Sequence, residues 1–112
     1  MDNDLQTLQD GINASIQTLL QAYDNCSDPV ASQQLIDQSN QLAGQMKQIE
    51  ACLFHQQTVE AGAVLTGAFT SAKGFTDQLT ALSKSLDRVA DIISLAGKLV
   101  DAVAKVIAVL PG

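Results

Sequence analysis

The chain has no tryptophan, and its aromatic side chains are limited to Tyr23, Phe54, Phe69 and Phe75. A core built from it is aliphatic, which suits helices packed along their length. Basic residues are also few, with six Lys and Arg against twelve Asp and Glu for a net charge of −6. Residues 1–60 carry eight acids against the single base Lys47, and residues 61–112 carry four acids against five bases interspersed with them. No basic stripe is available for a phosphate backbone, so nucleic acid is not an expected partner. Long apolar runs are missing too. Even a stretch free of charge and His such as Ala61 to Ala72 falls short of the roughly 20 residues that span a bilayer. Met1-Asp2-Asn3-Asp4 is acidic where a secretory signal carries a basic region. The expected compartment is the cytoplasm, although a leaderless export route leaves no sequence mark.

What is present is apolar material. The chain is 46% hydrophobic and 16% charged, against roughly a quarter charged in ordinary domains, so disorder is not expected. With 112 residues it has room for one domain. No segment shows the period-2 alternation of a half-buried strand. Instead, an apolar line with steps of three and four residues runs from Ala61, Leu65, Ala68 and Ala72 through Phe75, Leu79, Leu82, Leu86 and Val89. It continues through Ile93, Ala96, Val100, Val103 and Ile107 to Leu110, the spacing of a helix seam. From Leu86 onward a second line joins it, comprising Ile92, Leu95, Leu99, Val106 and Val109. Polar residues are left a single strip of Lys84, Asp87, Asp91, Ser94, Lys98, Asp101 and Lys105. The fold class this predicts is all-α, an antiparallel bundle of three to four helices with a long, highly apolar C-terminal helix.

A first helix is expected over about residues 3–24. Asp2 to Asp4 offer its cap, and Leu5, Leu8, Ile12, Ile16, Leu19, Leu20 and Tyr23 recur at helical spacing. Asn25-Cys26-Ser27-Asp28-Pro29 is the clearest turn, with Ser27 or Asp28 as the next cap and Pro29 in the first turn. A second helix follows over 29–57 with Leu35, Ser39, Leu42, Met46, Ile49 and Leu53 inward and a face dense in Gln and Asn outward. Those amides are most simply a solvated face, though uncharged amides also bond across helix contacts. A third helix is expected over about 58–73. Lys73-Gly74-Phe75-Thr76-Asp77 reads as a helix end and a new cap, with Gly74 past the end and Thr76 capping a final helix over about 77–110. Against a full break, the seven-residue register crosses Gly74 without a slip. At 1.5 Å per residue the final helix spans about 50 Å, against about 33 Å and 43 Å for the first two. On that reckoning its last turns outrun their covering from about Leu95 onward.

Chemistry-bearing constellations are sparse. Asp87 and Asp91 lie four apart, flanked by Lys84 and Arg88, which is the pattern of a solvated charged strip. Cys52 and His55 have the spacing of half a metal site, but Cys52 borders the apolar line as a small core residue would. If the second helix is continuous, Cys26 and Cys52 sit about 35 Å apart, well beyond the reach of a disulfide. The glycines at 62, 67, 74 and 97 form no phosphate-binding loop. No cofactor, metal or catalytic set is expected.

The expected function is therefore that of a non-enzymatic interaction protein. It would associate with itself or a protein partner through Leu95, Leu99, Val103, Val106, Ile107 and Leu110. Ala63, Gly67 and Ser71, spaced by four, would let a neighbouring helix approach closely. The alternative is a membrane-active helical protein. Within residues 89–110, Asp91-Ile92-Ile93-Ser94 and Gly97-Lys98-Leu99-Val100 resemble the short amphipathic peptides called phenol-soluble modulins, a likeness any apolar helix can produce.

Overall fold

The computed structural model describes residues 2–54 and 63–109, and within them the side chains of 6–51 and 67–108. Four helices account for nearly all of it: α1 (Asp2–Asn25), α2 (Pro29–Phe54), α3 (Ala63–Ala81) and α4 (Val89–Val109). Among the described residues there is no strand. The protein is an all-α helical bundle.

The first turn forms as its residues dictate. Asp28 Oδ1 accepts the Val30 N–H at 3.0 Å, and the Asp28 carbonyl accepts the Ser32 N–H at 2.9 Å. Asp28 is thus the cap of α2, with Pro29 in the first helical position, where a missing N–H costs nothing. Leu8, Ile12, Leu19 and Ala22 of α1 and Leu35, Leu42 and Ile49 of α2 are buried, at the three-, four- and seven-residue spacings of one helix face. Ser39 joins that face and satisfies its hydroxyl on Ile36 O at 2.8 Å. Leu20 and Tyr23, counted among the inward residues of α1, are about two-fifths exposed at 39% and 41%.

The second half differs from expectation. Helix α3 runs through Gly74 without a break, and Thr76 lies inside it, donating its hydroxyl to Lys73 O at 2.7 Å. A lone glycine weakens a helix by about 1 kcal/mol but leaves every backbone hydrogen bond available. The chain turns ten residues later. A 3-10 turn at Leu82–Lys84 leads to Ser85, whose N–H donates to Leu82 O at 2.8 Å, and the Arg88 N–H then donates to Ser85 O at 3.0 Å. Ser83, Ser85 and Asp87 carry the side chains that compete with helical backbone bonding. Leu82 and Leu86 remain half-buried against the core on either side of the turn. The apolar register therefore persists while the helix does not. Helix α4 begins at Val89 rather than at 77 and has 21 residues, and among the described residues α2, with 26, is the longest helix. At about 31 Å, α4 fits inside a bundle whose long extent is 44 Å. The expected overhang of the last turns has no basis. The expected third-helix start at 58 and second-helix end at 57 fall outside the described residues.

Helices α1 and α2 form one antiparallel hairpin and α3 and α4 another. Helix α1 packs on α2 and α3, α4 packs on α3 and α2, and α1 with α4 and α2 with α3 stand across the diagonals. Gln38 donates its amide to Ile93 O and Gln45 to Val100 O, both across 55 residues. That constant offset makes α2 and α4 parallel, and α1 and α3 therefore run parallel as well. The sequence order 1-2-3-4 becomes 1-2-4-3 around the bundle.

Candidate interaction site

The apolar face of α4 lies inside the bundle. Leu99, Val103 and Val106 are fully buried, together with Ile92 and Ala96. Leu95 and Ile107 are half-buried and pack against the same core, and Leu110 lies outside the described residues. Expected to be uncovered, this face is covered by the chain's own helices, because the turn at 82–88 folds α4 back along α3. The strip opposite behaves as its residues require: Asp91, Ser94, Lys98, Asp101 and Lys105 are all exposed.

The small residues divide in the same unexpected way. Gly67 and Ser71 are exposed, and a Cβ added at Gly67 would meet nothing within 4 Å, so they bring no helix close within the chain. The Ala63 side chain falls outside the described residues. Gly67 and Ser71 line an open groove of about 580 Å³ between α3 and α4, with Phe75, Lys98, Asp101 and Lys105. The small side chains that do pack inward are Ala68 and Ala72 on the neighbouring face. The close helix approach is at Gly11, where an added Cβ would stand 2.9 Å from Thr76 Oγ1 and 3.1 Å from Thr76 Cβ. Glycine is required there by the proximity of α3.

The two hairpins meet along two seams, both unlike the rest of the core. On the α1–α3 side Gly11 faces Thr76, and Ser15 and Thr18 are buried with their hydroxyls returned to Gly11 O and Ala14 O of their own helix. On the α2–α4 side the Gln38 and Gln45 amides reach Ile93 O at 2.9 Å and Val100 O at 3.0 Å. Both of their Oε1 atoms are buried without a hydrogen-bond partner. A buried, unpaired amide oxygen costs about 1–3 kcal/mol. The signal for these residues was in the sequence: Gln38 stands three after Leu35 and four before Leu42, and Gln45 repeats that position before Ile49. Both border the inward line, within reach of a neighbouring helix.

Asp87 precedes α4 and Asp91 sits in its first turn, so they do not share one helix face, and Asp91 is paired with Arg88 on the surface. An open cleft of about 770 Å³ joins the α1–α2 turn to the α3–α4 turn, lined in part by Cys26, Asp28, Leu86 and Asp87. The Asp28 carboxylate in it is already engaged as a helix cap. Among the described residues no three His, Cys, Asp or Glu side chains converge as metal ligands. His55 and the Cys52 side chain lie outside them. Because α2 is continuous, Cys26 and Cys52 stand at opposite ends of it. Among the described residues, no helix is long and apolar enough to cross a membrane. Comparison of the chain with family models, with curated proteins and with solved structures finds no match in any of the three.

Proposed function

We propose that this protein is a non-enzymatic helical interaction protein that associates with itself or with a protein partner through the apolar face of α4. The binding residues on this reading are Leu95, Leu99, Val103, Val106 and Ile107, extended by Leu110. Three of them are fully buried in the closed chain, so binding requires the two hairpins to part. The observation that carries the reading is the α2–α4 seam. Its two amides leave two buried oxygens unpaired, a cost borne by the closed state and relieved by water on opening. The Ile93 and Val100 carbonyls stay bonded within α4 when the glutamines leave, so the opened hairpin keeps its helices. What it gains is an apolar face in need of a partner.

Light scattering on the size-exclusion peak across a hundredfold dilution tests this. An oligomer that survives dilution is the expected outcome, and a monomer at every concentration removes self-association. A second reading is insertion of the α4 face at a lipid interface. It is favoured by the breadth of the α4 apolar face and opposed by a polar strip that alternates Asp with Lys and lacks Trp. Flotation with zwitterionic vesicles separates the two, since a protein-binding face leaves the chain unbound at the bottom of the gradient.

A further inference from the structure

Leu20 and Tyr23 stand open to solvent in the acidic half of the chain, and we infer that their patch docks a basic amphipathic helix of a partner protein. This goes beyond the α4 reading, because the surface is exposed while the bundle stays closed. Among the described residues, the exposed large hydrophobics are Leu20, Tyr23 and Val30, and all three belong to α1–α2. Two of them share a seam. Gln9, Ile16 and Tyr23 fall on one line of α1 at steps of seven, and Ile36, Ala43 and Glu50 do the same on α2. Gln9 donates its amide to Glu50 at 2.8 Å, so the two lines face each other along the outside of the hairpin. At that end a polar bond closes the seam. Toward the 26–28 turn the same seam carries Ile16 and Ile36, half-buried, beside the exposed Leu20 and Tyr23. A tyrosine adds a large, stiff contact area and a hydroxyl that remains useful to a partner.

Charge selects the occupant. Asp24 follows Tyr23 and Asp37 follows Ile36, each about 100° of helix beyond a patch residue, and both are exposed. Asp10, Asp37 and Glu50 accept hydrogen bonds from Gln6, Gln33 and Gln9, neutral amides that leave the carboxylate charge uncompensated. Lys47, the single base of residues 1–60, stands three residues before Glu50, at the far end of the seam. An apolar patch rimmed by acids repels nucleic acid and anionic lipid and attracts Lys and Arg. The fitting ligand is a helix with a narrow apolar stripe flanked by bases, laid along the seam. A second copy does not supply one: the apolar face of α4 is buried, and its lysines alternate with Asp91 and Asp101.

The composition supplies the probe. With one tyrosine and no tryptophan, the intrinsic emission of the chain reports on position 23 alone. The ligand used is a synthetic peptide of about 18 residues, five helical turns, with Leu on one face, Lys on the other and no aromatic residue. Control peptides carry Glu in place of Lys, or Ser in place of Leu. The expected result is a saturable change in Tyr23 emission and weaker quenching by acrylamide with the Leu/Lys peptide, and neither with the controls. Leu20→Gln should weaken binding about tenfold, as for a contact residue at the centre of an interface. Asp24→Asn with Asp37→Asn should weaken it several-fold and flatten its salt dependence. All three positions are exposed, and circular dichroism confirms that the variants fold. Tyr23 emission that does not respond overturns the inference, as does a Glu peptide that binds as well as the Lys peptide. Fluorescence anisotropy of a labelled peptide separates this failure from that of the α4 reading. Binding that leaves Tyr23 and its neighbours indifferent occupies another surface, so the α4 reading survives while the patch falls.

Discussion

The centre of the bundle and the two seams along which its hairpins meet are made of different material. Toward the centre all four helices contribute aliphatic side chains, and Ile12, Leu19, Leu35, Leu42, Leu79, Ile92 and Leu99 are sealed from solvent. At the inter-hairpin seams the chain places a glycine, hydroxyls and two glutamine amides. Apolar burial is non-directional and strong, at about 25 cal/mol per Å². A neutral hydrogen bond nets only about 0.5–1.5 kcal/mol and fixes geometry more than it stabilises. The centre therefore supplies stability, and the seams supply register at a local cost. That difference is what makes one part of the molecule a core and the other a joint.

The largest test of this division is in the centre. Replacing Leu99 and Val103 together with Gln puts two amides at fully buried positions. Losing each aliphatic side chain costs about 2–5 kcal/mol, and unpaired amides add to that. The sum is comparable with the roughly 5–15 kcal/mol that holds a domain folded. The double variant is expected to lose its helical circular dichroism at room temperature. On the outer strip, Lys98→Gln and Lys105→Gln should move stability by no more than about 0.5 kcal/mol. If the core pair retained a cooperative urea transition at the wild-type midpoint, the buried face of α4 would be misassigned.

The α1–α3 seam gives the next effect. Glycine to alanine at position 11 gains about 1 kcal/mol of helix propensity. Against this, the new methyl meets Thr76 Oγ1 at 2.9 Å, and that hydroxyl is held by Lys73 O. Overpacking of this kind costs about 1–3 kcal/mol, so Gly11→Ala should lower the urea midpoint despite the better propensity. Adding Thr76→Ala removes two of the three close atoms and should restore part of the loss. A cycle with no coupling between the two positions would mean that α1 and α3 are not in contact there.

How much of this the residues announced depends on the kind of signal. The α1–α2 hairpin was legible because Asp28 and Pro29 act locally, one as a cap and one as a first-turn residue. The α3–α4 turn was not, because Leu82, Leu86 and Val89 keep the helical spacing across it. A line of burial is preserved when a helix folds back on its own core, so periodicity alone does not separate one long helix from a hairpin. Gly74 is the conspicuous candidate for a breaker, whereas the turn falls at Leu82 to Arg88, where Ser83, Ser85 and Asp87 are poorer helix formers. The position of the turn decides the site: a final helix counted from residue 77 spans about 50 Å and overhangs, whereas one that starts at Val89 buries Leu99, Val103 and Val106 within the bundle. Gln38 and Gln45 were visible as amides beside the inward line, but only tertiary placement makes them stitches rather than a solvated face.

The α2–α4 seam carries a smaller and opposite expectation. Gln38→Met with Gln45→Met keeps chain length and helix propensity while removing two amides whose oxygens are unpaired. The α4 carbonyls they touch retain their intrahelical bonds, so no new orphan is created. The exchange should be neutral or stabilising by about 1 kcal/mol. It should also slow separation of the hairpins. Amide hydrogen exchange in α4 is the readout, and faster exchange in the methionine variant would show that the glutamines hold the seam closed.

The smallest effect comes from the glycine that does not break its helix. Gly74 lies within α3, and a Cβ built there meets nothing within 4 Å. Alanine at this position incurs none of the steric cost that Gly11→Ala meets. It restricts the unfolded chain and favours the helix, for a gain of about 0.4–1 kcal/mol. A higher thermal midpoint with unchanged oligomeric state is therefore expected for Gly74→Ala. A loss would mean that α3 bends at this point in solution, as a helix end followed by a cap at Thr76 would require. The pair of glycines then separates two reasons for the same residue: at position 11 a neighbouring helix demands it, and at position 74 nothing in the packing does.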